Sequence, residues 1–185
     1  MTKRAAVAPL RYVAFLRAIN VGGRFVKMEQ LRAEFEALRF RDVETLIASG
    51  NVLFSTASDD AADLEHRIER RLERALGYEV ATFVRTPSEL AALVQDEPYQ
   101  DRDASATLWT GFLKSAVSAD VRDKLRALCS DVEEVDVVGR EVYWLRRQLE
   151  MAALRTGAKI DKALASPVTF RNVTTVRKLA LRTTV

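Results

Sequence analysis

Apolar residues recur along this chain with two periods, and the changes of period mark its elements. Tyr12–Ile19 is a short run, apolar apart from Arg17, and predicts a buried strand. Met28, Leu31, Phe35 and Leu38 then recur at helical spacing, predicting an amphipathic helix from Lys27 to Arg39. Val43–Ala48 and Val52–Phe54 flank Ser49-Gly50-Asn51, where glycine and asparagine tolerate positive φ, so a β-hairpin is expected. Asp59 and Asp60 are N-cap candidates for a helix that turns Leu64, Ile68, Leu72 and Leu76 inward and stops at Gly77. Val80–Val84 predicts another strand, and Thr86-Pro87 opens a short helix through Val94.

The second half repeats this order. Phe112-Leu113-Lys114 echoes Phe15-Leu16-Arg17, and Val121–Cys129 supplies a helix. Glu134–Val138 and Glu141–Leu145 flank Gly139-Arg140 as a second hairpin. Leu149–Leu164 has helical composition with a break expected at Thr156-Gly157; Val168-Thr169-Phe170 then echoes Ala81-Thr82-Phe83 before a closing helix to Leu181. Ordered echoes of this kind point to internal duplication. The predicted fold class is therefore α+β, two ferredoxin-like (βαββαβ) halves packed into one compact protein. The halves are residues 1–97 and 104–185, joined by the polar, Pro98-containing segment 97–103.

Composition narrows the function classes. The 185 residues are 48% hydrophobic and 30% charged, as in ordinary globular proteins. The net charge of +3 is carried by arginines interleaved with glutamates, as in Glu65, Arg67, Glu69, Arg70, Arg71, Glu73 and Arg74. That pattern reads as a solvated helix face, not a nucleic-acid stripe. The single cysteine, Cys129, excludes an intramolecular disulfide, and its spacing from Val121, Leu125 and Leu128 predicts a core position. The single histidine, His66, is expected at the surface. Ser-His-Asp catalysis and Cys/His metal sites are disfavoured on these counts, and no cofactor is expected. Met1–Leu10 lacks the apolar run of a secretory signal, and no stretch approaches the roughly 20 apolar residues that cross a bilayer. A cytoplasmic protein without membrane contact is expected.

In a ferredoxin-like unit the first two strands run the same way. The loop after the first strand therefore emerges beside the turn of the hairpin. That end would gather Asn20, Gly22, Gly23, Arg24 and Lys27 with Ser49, Gly50 and Asn51. Glycines admit close backbone approach, a helix N-terminus favours anions, and the two cations add charge. Alternatively, the glycines serve loop geometry and Asn20 caps backbone groups. Arg17 alternates with Val13, Phe15 and Ile19, so it is expected on a buried face. There it is either half of a buried ion pair or the floor of an anion site beneath the loop.

The stretch Tyr-Val-Ala-Phe-Leu-Arg-Ala-Ile-Asn-Val-Gly-Gly (Tyr12 to Gly23), the turn Ser49-Gly50-Asn51, and Arg171-Asn172 near the C-terminus resemble the bacterial domain-of-unknown-function family 1697. The resemblance implies a duplicated α+β fold. The family has no established activity, so no catalytic residue is carried over. Its C-terminal block adds Arg171, Asn172 and Thr174 as candidate ligand residues, Asn172 or Thr174 also suiting a helix cap. Val173 stands where the family usually has an aromatic residue, which removes a stacking role there.

The expected function is binding of a small phosphorylated or carboxylated ligand at the Gly-Gly loop. The alternatives are a non-catalytic adaptor or regulator and, last, a nucleic-acid module. The last is disfavoured because Tyr12 and Phe15 lie on opposite faces of their strand, unlike the paired aromatics of RNA-reading sheets. No acid–base pair or nucleophile is visible from spacing.

Overall fold

Alternation along the first strand sets the layers. In the computed structural model, which describes residues 9–23, 25–46, 50–147 and 153–183, the elements are β1 (Leu10–Leu16), α1 (Met28–Glu36), β2 (Arg41–Leu46), β3 (Asn51–Thr56), α2 (Ala61–Leu76), β4 (Thr82–Arg85), α3 (Pro87–Gln95), β5 (Thr107–Phe112), α4 (Ala119–Arg126), β6 (Glu133–Val138), β7 (Glu141–Arg146), α5 (Ala153–Leu164), β8 (Thr169–Asn172) and α6 (Val173–Thr183). They form two four-stranded antiparallel sheets, ordered β2-β3-β1-β4 and β6-β7-β5-β8. The chain is thus α+β. It divides into two compact units, Met1–Ala91 with Leu179–Val185, and Ala92–Lys178. No described helix is long and apolar enough to cross a membrane.

In the first unit Tyr12, Ala14 and Leu16 of β1 share a buried cluster with Val52 and Phe54 of β3 and Val84 of β4. Leu31 and Phe35 of α1 and Leu64, Ile68 and Leu72 of α2 complete it. The helix signals behave as their chemistry dictates. Asp60 Oδ1 accepts from Asp63 N–H at 3.0 Å, and Gly77 closes α2 at φ 78° with its N–H on Glu73 O at 2.8 Å. Val13, Phe15, Leu53, Phe83 and Arg85 alternate onto the other sheet face and are equally buried.

One part of α2 departs from the sequence reading. Glu65 is buried and Glu69 half-buried; they are not simply solvated. Glu69 Oε1 accepts from Thr82 N–H at 2.9 Å, and Glu65 Oε1 from Val84 N–H at 2.8 Å. β4 is an edge strand, so its outward N–H groups lack a strand partner. The helix carboxylates supply one and close that edge to further pairing.

The second unit has the same order of elements and comparable register. Phe15 faces Asn51 and Phe112 faces Glu141. Leu16 N–H donates to Gly50 O at 2.8 Å, and Leu113 N–H to Arg140 O at 3.0 Å. Leu125 of α4 and Ile160 and Leu164 of α5 pack on Val135, Val142 and Trp144. A smaller cluster of Leu108, Tyr143, Leu145 and Val173 lies apart from that core.

Other differences from expectation have local causes. α5 runs unbroken through Thr156-Gly157: a Cβ on Gly157 would lie only 3.6 Å from the Trp144 ring, and Thr156 Oγ1 donates to buried Glu133. Cys129 is exposed, because α4 ends at Arg126 and the helical spacing that placed the thiol inward no longer applies. Its Sγ accepts from Val135 N–H at 3.2 Å. Arg17 lies just beyond β1 and is half-buried, while Ile19 joins the helix-side cluster of Leu16. Ala18 at φ 60° breaks the alternation that would have set Arg17 and Ile19 on one face. His66 is exposed as expected, 3.7 Å from Glu69.

Gly111 of β5 tests how tightly the second sheet packs. A Cβ there would lie 2.6 Å from Phe170 Cε1. Gly111→Ala should lower unfolding free energy by about 1–2 kcal/mol, the cost of overpacking less the chain-entropy gain. Urea unfolding reads this directly, and unchanged stability would mean the Phe170 ring moves aside freely.

Candidate functional site

Strand direction brings the first group of candidate residues together. β1 and β2 are both antiparallel to β3, so they run the same way and the β1–α1 loop leaves the sheet beside the β2–β3 turn. Gly50 is buried in that turn at φ 75°, and a Cβ on it would lie 2.9 Å from Ile19 Cβ and 3.2 Å from Leu16 Cβ. Only glycine meets both demands at position 50. Asn51 is fully buried, and its Nδ2 donates to Leu46 O at 3.0 Å, holding the hairpin from inside. Arg24 and Ser49 lie outside the described residues.

The loop itself has an unusual backbone. Ala18, Asn20, Gly22 and Gly23 have φ of 60°, 57°, 61° and 81°, whereas Ile19 and Val21 between them do not enter that region. Asn20 Oδ1 accepts from Val26 N–H at 2.7 Å and closes the loop. Gly22 and Gly23 are exposed, with open space where their side chains would be. Lys27 is the exposed N-cap residue of α1, and its side chain makes no cap bond to the first turn. Arg17 N–H donates to Ala81 O at 2.9 Å, which anchors the loop's first residue to the chain entering β4. Glu29 in the first turn of α1 offsets part of the positive charge.

Arg171, Asn172 and Thr174 belong to the second unit and form a group of their own. Asn172 is paired with Trp109 near the start of β5, whereas Thr169 faces Phe112 at its end. Asn172 Oδ1 accepts from Thr174 N–H at 2.9 Å and from Thr174 Oγ1 at 2.8 Å, so the asparagine caps α6. Arg171 is buried; its Nη1 donates to Thr169 Oγ1 at 2.9 Å and to Phe170 O at 2.8 Å. Burial pulls its pKa down to about 10, which leaves it protonated at neutral pH. Asn172, Thr174 and Arg177 line a cleft of about 320 Å³ with Arg102 and Gln100. Beneath it sits Glu97, whose side chain is fully buried. Its carboxylate takes both guanidiniums, Arg102 at 2.6 Å and Arg177 at 2.8 and 2.9 Å. The polar segment 97–103 is therefore pinned at its first residue.

Among the described residues no group of His, Cys, Asp and Glu is placed to hold a metal ion. The family model described as protein of unknown function (DUF1697) matches residues 10–143. The chain belongs to that family. Among solved structures, it is similar to a conserved bacterial protein from Streptococcus pneumoniae, at TM-score 0.76 and 23% identity, over 96% of this chain and 100% of that one. At that identity the likeness speaks for the fold. No curated protein matches the chain at a significant level.

Sequence reasoning passed over Arg85 and the Glu97 triad. Arg85 is fully buried, and its Nη1 donates to Val84 O at 2.9 Å, as Arg171 does to Phe170 O. Arg85 faces Val13, and Arg171 faces Thr110, so the two occupy corresponding registers. The signal was present: Val84-Arg85-Thr86-Pro87 and Phe170-Arg171-Asn172-Val173 both run strand, arginine, cap, helix. For the triad, Glu97→Gln should cost about 2–3 kcal/mol in urea unfolding, below the roughly 3–5 of a fully buried pair because Arg177 is half exposed. A loss under about 0.5 kcal/mol would reduce the triad to an ordinary surface pair.

Proposed function

We propose that this protein binds a small phosphorylated or carboxylated ligand at the Arg17–Lys27 loop of a duplicated, ferredoxin-like scaffold. The alternating sign of φ from Ala18 to Gly22 carries this reading. Successive residues of opposite backbone hand turn their N–H groups towards one side, the arrangement that makes anion-binding concavities. Gly22 and Gly23 keep the approach open, and Lys27 and Arg17 supply charge at its ends. Strand order β2-β3-β1-β4, matched by β6-β7-β5-β8, supports the duplicated scaffold. A reducing, cytoplasmic setting suits the exposed free thiol of Cys129.

A second reading, a non-catalytic adaptor, is favoured by Phe25 at 80% and Val21 at 56% exposure on the same loop. Phosphate titration of the unfolding midpoint separates the two. Under the ligand reading the parent midpoint climbs, by the equivalent of about 2.7 kcal/mol at a hundredfold excess over Kd. Lys27→Gln should blunt that response with little change in stability without phosphate, while Phe25→Ser should leave it intact. A parent midpoint indifferent to phosphate and to small carboxylates would leave only the adaptor reading.

A further inference from the structure

At the opposite end of the first sheet from the glycine loop lies a larger cleft. The start of β1, the outer part of β2, Ser55 of β3 and the last turn of α6 line an open cleft of about 640 Å³ within the first unit. Small-ligand sites run about 300–1,000 Å³.

Its walls hold both signs of charge in a fixed arrangement. Glu44 accepts from Arg11 Nη2 at 2.6 Å and from Arg182 Nη1 at 3.1 Å. Arg11 Nη1 also donates to the Asp42 backbone O at 3.2 Å. A single carboxylate thus orients two guanidiniums, and each has five N–H donors, so donors remain for a ligand. On the rim, β2 bulges between Arg41 and Glu44, and Asp42 sits at φ 50° within that irregularity. Bulges of this kind redirect side chains out of the ladder. The Asp42 carboxylate makes no ion pair with any described residue. The remaining wall is apolar: Leu181, 76% exposed, and Pro9.

Arg11 and Arg182 balance Asp42 and Glu44, so a ligand of one charge meets as much repulsion as attraction. A ligand bearing both charges and an apolar body meets complementary groups throughout. We propose that this cleft binds a free amino acid with an aliphatic side chain. The carboxylate lies on Arg182 and Arg11, the ammonium on Asp42, and the side chain against Leu181 and Pro9. Glu44 is a positioning residue that holds the arginines. The site is independent of the glycine loop, and neither reading requires the other.

Amide spectra of the intact protein titrated with L-leucine test this. Saturable shifts are expected at Asp42, Glu44, Ser55 and Leu181. L-leucinamide lacks the carboxylate and N-acetyl-L-leucine lacks the ammonium; each should bind at least about tenfold more weakly, the loss of a charge-assisted contact. Arg182→Gln should weaken leucine similarly. Arg182 is half exposed, so the variant should fold, and Leu181→Ser provides a second that leaves all four charges in place. Absence of saturable shifts at these positions overturns the proposal. So does equal binding of either analogue, or undiminished leucine binding in both variants. Inorganic phosphate, the probe of the glycine loop, should not shift these amides.

Discussion

The glycine-loop end of the first unit depends on one close approach, that of Gly50 to Leu16 and Ile19. With a Cβ position 2.9 Å from Ile19 Cβ, no side chain fits there without displacing the strand end. The approach lets Leu16 N–H reach Gly50 O, which carries the β1–β3 pairing to the last residue of β1. It also fixes where the chain must leave the sheet. Ala18 and Asn20, both at positive φ, accommodate the exit, and the Asn20–Val26 bond closes the loop. Non-glycine residues in that region cost free energy and persist only where surrounding contacts over-determine them. Here the packing of Ile19 into the core and the Asn20 bond supply that determination.

The parts of the fold that were legible in the sequence rest on short-range chemistry. Asp60 and Gly77 bracket α2 because cap chemistry is local. The alternation of β1 and the periodicity of α1 survive into the core. What was hidden depends on partners distant in sequence. Glu65 and Glu69 look like a solvated stripe until β4 is seen to be an edge strand that needs acceptors. Glu97 looks like a linker residue until Arg177, 80 positions later, closes on it. Cys129 departs from its expected core position because helical periodicity does not extend past the end of α4 at Arg126, and the thiol meets the backbone of β6 instead.

The candidate site was partly legible in the same sense. Strand direction brought the Gly-Gly loop and the Gly50 turn to one end, a consequence of topology alone. The inner roles of Asn20 and Asn51 were not readable, because an asparagine that caps and one that recognises a ligand look alike in sequence. The strand arginines show the same ambiguity resolved differently. Arg85 and Arg171 each direct Nη1 to the carbonyl of the preceding residue, so part of the desolvation cost is met by the strand that carries them.

The division of the chain has a consequence for how the molecule is made. The residues of the second unit, Ala92–Lys178, are contiguous, whereas the first unit combines Met1–Ala91 with Leu179–Val185. During synthesis the N-terminal segment emerges first, yet its unit lacks Leu179, a fully buried residue, until the last turns of α6 have been made. The unit begun first is therefore the one finished last. For as long as the ribosome takes to add Ala92–Lys178, the first unit waits for its closing segment. That interval is when a nascent chain of this design is most exposed to chaperones and to aggregation.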